Sequence, residues 1–441
     1  KANHELLADF NVNEKLQHLL YLDCNNLYGG SLSQYLPTGN FSWPSVDTFP
    51  VQTIDEWLLP IPADSPKGYI FSVDIDYPDH LHDEHNCYPL PPEKLVVTRD
   101  MLSPFVRESF PDCQDSVEKL VPNIMAKKNY TVHYQTLQHY ISLGLIVTKI
   151  HRVLEFDQSP WLRPYIELNT VKRKNATSDF EKDFFKLCIN SMFGKTMENV
   201  RHRISVEMVL DESKFRRKVA KPTFKHGQVI REDLYAVQLR VATVTLNKPI
   251  YCGFSVLELS KKLMFDFHYN HMKVRYPGDK LKLLFTDTDS LAYAVETENI
   301  YNDMVTDRHL YDFSNYPKNH PLYDTSNKKV IGKFKDELGG AIMEEFVGLR
   351  PKCYSILYNG KEKKAIAGVK QSVQKRLLRH RDFRTTLNTL TPILVTQNNI
   401  ISKKHVVSTV NQTKIGLNAL DTKRYILEDG ISTLAYGHYK T

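Results

Sequence analysis

An α+β fold is predicted for this 441-residue chain, and three segments carry the prediction. Leu281-Lys282-Leu283-Leu284-Phe285 and Leu291-Ala292-Tyr293-Ala294-Val295 are strand-like runs on either side of Thr286-Asp287-Thr288-Asp289-Ser290, so the acidic tip sits on a β-hairpin. Leu19-Leu20-Tyr21-Leu22 is another apolar run, which delivers Asp23 to the end of a strand before the chain turns away through Gly29 and Gly30. Ser178 and Glu181 form a capping box ahead of a helix of about four turns, for which Gly194 is a natural C-cap.

The remaining elements follow in chain order. Residues 67–77 alternate as a strand, with Asp74 and Asp76 on its exposed face. Residues 80–92 carry His80, His82, His85 and Cys87, but irregular spacing and flanking prolines favour an ordered loop over a metal cluster. Residues 114–150 read as helical and amphipathic, and Trp161 to Thr170 as a helix leading into Lys172-Arg173-Lys174. Residues 196–245 lack strong periodicity and read as an irregular excursion, whereas Pro249 to His271 reads as a long helix. Asn359-Gly360, between two strand-like runs, signals a type I′ hairpin and puts Lys352 and Tyr354 on one face of its first strand.

Two carboxylates at the hairpin tip, spaced two residues apart and so roughly 7 Å from each other on extended backbone, bring like charges together for no folding benefit unless a cation binds between them. Asp-Thr-Asp-Ser also makes ordinary polar turns. On the capped helix, at about 100° per residue, Lys182, Lys186, Asn190 and Phe193 cluster, while Phe180, Phe184, Leu187 and Ser191 lie opposite as the anchoring face. Such a basic stripe can be merely solvated, but beside three carboxylates it suits a nucleoside triphosphate, whose phosphates need cations in addition to metals. Gly194-Lys195-Thr196 is not a P-loop, because Ile189 stands where that motif requires glycine.

These segments, in this order, resemble the three polymerase motifs of family B DNA polymerases, specifically the protein-primed branch of adenoviruses, certain bacteriophages, linear plasmids and self-synthesising DNA transposons. Asp23-Cys24-Asn25-Asn26-Leu27-Tyr28 matches D-x-x-S-L-Y-P with Asn26 for the serine and Gly29 for the proline. Lys186 to Gly194 matches K-x-x-x-N-S-x-Y-G with Phe193 for the tyrosine, Thr286 to Ser290 matches the third motif, and Lys352-Cys353-Tyr354 looks like the K-x-Y signature. Val132-His133-Tyr134, Lys149 to Arg152 and Asp179 to Leu187 look like segments of the transposon polymerases.

The resemblance implies a right-hand fold. Its palm would comprise residues 1–34 and 246–357, its fingers 159–199 and a basic thumb 358–441, with insertions at 35–158 and 200–245. It implies DNA-directed DNA polymerase activity with two Mg²⁺ ions, or Mn²⁺ in their place, held by Asp23 and Asp289 with Asp287 in support. Tyr28, Lys174, Lys182, Lys186, Asn190 and Phe193 would bind the nucleotide, and Gly194, Lys352 and Tyr354 the DNA. Partners would be a DNA primer-template, dNTPs and a terminal priming protein. Only 22 residues precede Asp23, so no proofreading exonuclease activity is expected of these residues.

Composition agrees with a nucleic-acid enzyme. No apolar run approaches the length of a membrane span, and hydrophobic residues make up 41% of the chain. The six cysteines form no C-x-x-C pair, which suggests reduced thiols and an intracellular protein. Absence of a signal or transit pattern at Lys1 suggests part of a longer protein. Residues 361–441 hold 15 Lys+Arg against 5 Asp+Glu; with a whole-chain charge of +7, residues 1–360 are left at −3. That segment also contains apolar runs that pack, which favours DNA contact over a solubilising tail. Two other classes compete. A two-metal nuclease has no need of Tyr28 or the Lys182/Lys186 helix, and a catalytically inactive, transposon-derived DNA-binding remnant has no need of the carboxylates.

Overall fold

The computed structural model describes residues 1–113 and 117–441. Its central element is an antiparallel four-stranded sheet in the order Leu281–Asp287, Ser290–Glu296, Gln17–Cys24, Phe334–Asp336. The register runs from Gln17↔Glu296 to Asp23↔Ser290, so the first acidic segment lies directly beside the acidic hairpin. Period-two alternation explains this placement. Leu20, Leu22, Leu291, Tyr293 and Val295 pack on one face against Met264, Phe267 and Met272. Leu19, Tyr21, Ala292 and Ala294 pack on the other against Met343, Tyr354 and Ile356 of a neighbouring sheet. Leu22 is wholly buried, and Leu22→Ala is expected to lower stability by about 2–5 kcal/mol, read as a shifted denaturation midpoint in urea.

The neighbouring sheet joins Met343–Arg350, Cys353–Tyr358 and Lys361–Ile366. Its second turn has Asn359 at φ 46° and Gly360 at φ 66°, the two positive dihedrals that a type I′ hairpin requires. Helices Gln371–Leu377 and His380–Thr389 follow, then a ribbon of Ile393–Lys403 and Val406–Leu417. The last residues return to the region after residue 93, where Ile426 and Tyr436 share a core with Val97, Leu102, Val106 and Val121.

A second four-stranded sheet, in the order Leu36–Ser42, Ile146–Ser159, Lys67–Asp76, Lys127–His133, corrects the helical expectation for residues 114–150. Residues 114–116 of that span lie outside the described residues. The rest divides into the short strand Lys119–Val121, strand Lys127–His133, helix Tyr134–Ser142 and the strand from Ile146, with Gly144 at φ 96° between helix and strand. The β-branched run Ile146-Val147-Thr148 and Ile150 favours the pleated surface over a helix. Lys67–Asp76 is the expected strand, but Asp74 is buried rather than exposed. Its carboxylate accepts from the Asn129 amide at 2.8 Å and pairs with His151 at 2.7 Å, which hold it down at about 2. The 80–92 segment contains one turn, His82–His85, with both histidines buried.

Residues 204–240 are also more ordered than expected. Strands Ile204–Val209, Leu234–Arg240 and Phe224–Arg231 form a sheet backed by helix Glu212–Val219, which Asp211 caps through the amides of Ser213 and Lys214. Its core is small, built on Val209, Tyr235, Val237 and Leu239 with Phe215 and Phe224 packed against them, so its sequence shows little apolar periodicity.

Helix Arg163–Asn175 precedes the capped helix, which runs Asp179–Thr196 with both halves of the capping box formed. Gly194 lies inside the helix rather than capping it, because the buried Thr196 and then Met197 pack against Gly253 of the long helix Ile250–Asp266. The predicted anchoring face is instead exposed: Phe180 is 78%, Phe184 49% and Leu187 63% accessible. Ile189, Met192 and Phe193 anchor the helix to Leu32, Ile166, Val256 and Leu259. The first turns project past that core, so their phenylalanines meet one another, Phe180 stacking on Phe184. No helix among the described residues is long and apolar enough to cross a membrane.

Candidate active site

Asp23 ends its strand, and the Cys24 amide donates to the Asp289 carbonyl at 2.7 Å, locking the first segment to the hairpin tip. The tip is a tight turn: Thr288 sits at φ 60°, the Asp289 amide donates to the Asp287 carbonyl, and the Ser290 hydroxyl donates to the same oxygen at 3.2 Å. Burial, then the charges of Asp23 and Asp287, push the Asp289 carboxyl up. Burial likewise pushes Asp23 up, against the opposing pull of Lys335. Lys186 lies close enough to lower both.

These directions carry a stability prediction. Because folding raises the Asp289 carboxyl, the folded chain holds more protons than the unfolded chain above the ordinary carboxylate range. Its contribution therefore declines as pH rises from the unfolded value through the folded one. Asp289→Asn, which removes the charge, is expected to raise the thermal midpoint at pH 7 by about 1–3 °C, and calorimetry at pH 4 and pH 7 should show the gain shrinking at the lower pH.

Lysines accompany the carboxylates. Lys335 Nζ is 2.9 Å from Asp23 and 3.0 Å from Glu337, and Glu337 pairs with Lys363 at 3.2 Å. Asp287 pairs with Lys352, and its charge also acts on Asp289. Tyr354 stacks on Phe285 with centroids 4.4 Å apart and shares a hydrogen bond with the Tyr21 hydroxyl, so both Lys352 and Tyr354 face the acidic hairpin.

Tyr28 stacks on Phe193 of the capped helix, with centroids 4.5 Å apart and planes within 12°. The turn that aims it depends on two residues. Asn26 is left-handed at φ 51°, a conformation asparagine tolerates, and a Cβ on Gly29 would fall 2.2 Å from the Asn26 side chain. Lys182 pairs with Asp179 at 2.9 Å on the first turn of its helix, while Asn190 and Gly194 are exposed.

Lys174 is exposed, whereas its neighbour Arg173 is half-buried and its charge interacts with Asp23. Sequence reasoning missed Arg173, Lys335, Glu337 and Lys363. The signal for Lys335 was available: buried Phe334 and Asp336 alternate with it, which puts Lys335 on the opposite face of its strand. Among the described residues, no three His, Cys, Asp or Glu side chains converge as a metal-binding group. Asp23 and Asp289 remain a facing pair of hard oxygen donors, each raised by burial, and a divalent cation would relieve that.

No protein-family model and no curated relative matches the chain. The similarity that exists is structural, and it gives the chain the fold of a DNA polymerase. Phi29 DNA polymerase in an orthorhombic crystal form is similar at a TM-score of 0.52 and 13% identity, covering 92% of this chain. Phi29 DNA polymerase complexed with primer-template DNA and incoming nucleotide gives 0.53, with the same identity and coverage. The chain spans 60% of the length of the Phi29 polymerase chain in each.

Proposed function

We propose that the chain is a DNA-directed DNA polymerase of the protein-primed family B type, adding dNTPs to a DNA 3′-hydroxyl on a template. The observation that carries the reading is the meeting of Asp23, at the end of its strand, with Asp289 in the turn of the neighbouring hairpin, with Lys186 charge-coupled to both and Tyr28 stacked beside them on Phe193. Likeness to a polymerase complexed with primer-template DNA and incoming nucleotide supports it. In this reading the four-stranded sheet is the palm, the helices Arg163–Asn175 and Asp179–Thr196 are the fingers and residues 358–441 are a basic thumb, with insertions at 35–158 and 200–245.

The primer 3′-hydroxyl attacks the α-phosphate of the dNTP in line, and pyrophosphate leaves. Two Mg²⁺ ions, with Mn²⁺ as a substitute, would supply hydroxyl activation and charge neutralisation when held by Asp23 and Asp289, with Asp287 in support. Lys182 and Lys186 neutralise the phosphates, with Lys174 as a further cation. Asn190 and Phe193 border the nascent base pair, and the Tyr28 ring lies under the sugar. Gly194, Lys352 and Tyr354 hold the DNA, and the Lys352–Asp287 pair ties the primer grip to the acidic tip. A terminal priming protein, an origin in a large DNA transposon and an intracellular location complete the proposal. The alternative, a catalytically inactive DNA-binding remnant, draws on the occupation of Asp23 and Asp287 by lysines. Primer extension with dNTPs and Mg²⁺ separates the two: the remnant binds DNA and extends nothing.

A further inference from the structure

A cation outside every recognised motif reaches the same site. Lys329 stands in the loop before strand Phe334–Asp336, in a left-handed conformation at φ 56°. Its amide donates to Asp312 Oδ2 at 2.8 Å, and the same oxygen accepts from Asn25 Nδ2 at 2.7 Å. Asn25 is fastened to the loop twice more, through the Asn25 amide to the Lys333 carbonyl at 2.8 Å and the Gly332 amide to the Asn25 carbonyl at 2.9 Å. The loop is thus anchored by backbone to the residue two places after Asp23. From that anchor, Lys329 Nζ crosses to the carbonyl of Arg173 at 3.2 Å, in the last turn of helix Arg163–Asn175.

This crossing gathers positive charge. Burial first, then Arg173, Lys328 and Lys182, push the Lys329 ammonium down, while Asp312 offers only a small opposing pull. Asp312 is already occupied by Asn25 and two amides, those of Lys329 and Ser314. Arg173 Nε is buried with no hydrogen-bond partner among the described residues. Cations from three separate segments are therefore held together; Lys182 is answered by Asp179 and the Arg173 charge by Asp183 and Asp23, but Lys329 has no ion-pair partner among the described residues, an arrangement that a polyanion would complete.

We propose that Lys329 is a nucleotide-binding residue whose ammonium takes the terminal phosphates of the incoming nucleoside triphosphate, and the pyrophosphate product, together with Arg173 and Lys182. The assignment rests on the polymerase reading. It gives the loop between the acidic hairpin and the Lys335 strand a task, since anchoring through Asn25 fixes the distance between that cation and Asp23.

The test uses Lys329→Gln and Lys329→Arg in the full chain. Glutamine can still donate to the Arg173 carbonyl but carries no charge, so a purely structural lysine would tolerate it. The expected result is a KM for dNTP and for pyrophosphate in the reverse reaction raised about tenfold in Lys329→Gln, with kcat within about twofold. Primer-template affinity should be unchanged and most of the loss restored in Lys329→Arg. Wild-type KM values in Lys329→Gln, beside an active wild-type chain, overturn the assignment and leave the polymerase reading standing. No extension by the wild-type chain removes both.

Discussion

Asp23→Ala and Asp289→Ala are each expected to reduce primer extension by about 10³-fold or more while primer-template affinity stays within about threefold. The loss should be that large because the carboxylates do little else. Burial pushes both carboxyls up, and the charge of Asp23 pushes Asp289 further, so the fold bears them at a cost. Binding should survive because the basic excess lies after residue 360, in a segment that neither substitution changes. Asp23→Ala has one side effect to control for: it frees Lys335, which keeps its pairing with Glu337 and through it Lys363. Among the described residues no lysine forms an ion pair with Asp289, on which Lys186 acts only by its charge, so Asp289→Ala is the cleaner variant. Extension retained within tenfold of wild type in that variant, measured at saturating dNTP, would refute the assignment of the carboxylates.

The second large effect concerns the sugar. Tyr28→Val is expected to lower discrimination against ribonucleotides by about 10²-fold, because a bulky ring beneath the sugar rejects a 2′-hydroxyl by occupying its space. The ring is fixed from two sides, by the turn in which Asn26 and Gly29 approach closely and by the stack on Phe193. The stack also explains how phenylalanine serves at position 193, since the contact with Tyr28 is face to face and uses no hydroxyl. Tyr28→Phe should therefore keep its selectivity. Loss of the stack in Tyr28→Val should cost about 1–2 kcal/mol of stability, which thermal unfolding can check independently of the rNTP/dNTP ratio.

Sequence alone was most informative where one local rule decides the structure. Strand Gln17–Cys24 and the second strand of the acidic hairpin are buried on both faces, and the first strand is half-buried, so their apolar runs stand out. The capping box at Ser178 and the Asn359-Gly360 turn each depend on a few adjacent residues. Packing between distant segments was not legible. The Phe180, Phe184 and Leu187 stripe has helical spacing but nothing to cover it, because only the C-terminal half of its helix reaches the core. Residues 127–159 mix charged and β-branched residues in a way that satisfies helical periodicity on paper and a sheet in space.

Within the site, the sequence brought forward Asp23, Asp287, Asp289, Tyr28, Lys186, Phe193, Lys352 and Tyr354, which the fold gathers. It did not bring forward Lys335 and Lys329, whose meaning depends on strand pairing and on a loop tethered to Asn25. Arg173 rather than Lys174 turns inward for the same kind of reason. Adjacent residues on a helix point about 100° apart, and only the packing of Arg163–Asn175 on its neighbour decides which one faces Asp23.

Single-nucleotide incorporation on a primer-template with each of the four template bases, using the wild-type chain with one dNTP at a time, tests the central claim most directly. Mg²⁺-dependent addition of the complementary dNTP at every template base, with release of pyrophosphate, is the expected result. Firm binding of the same primer-template without incorporation of any dNTP, in Mg²⁺ or Mn²⁺, would contradict it and leave a DNA-binding protein with a polymerase fold.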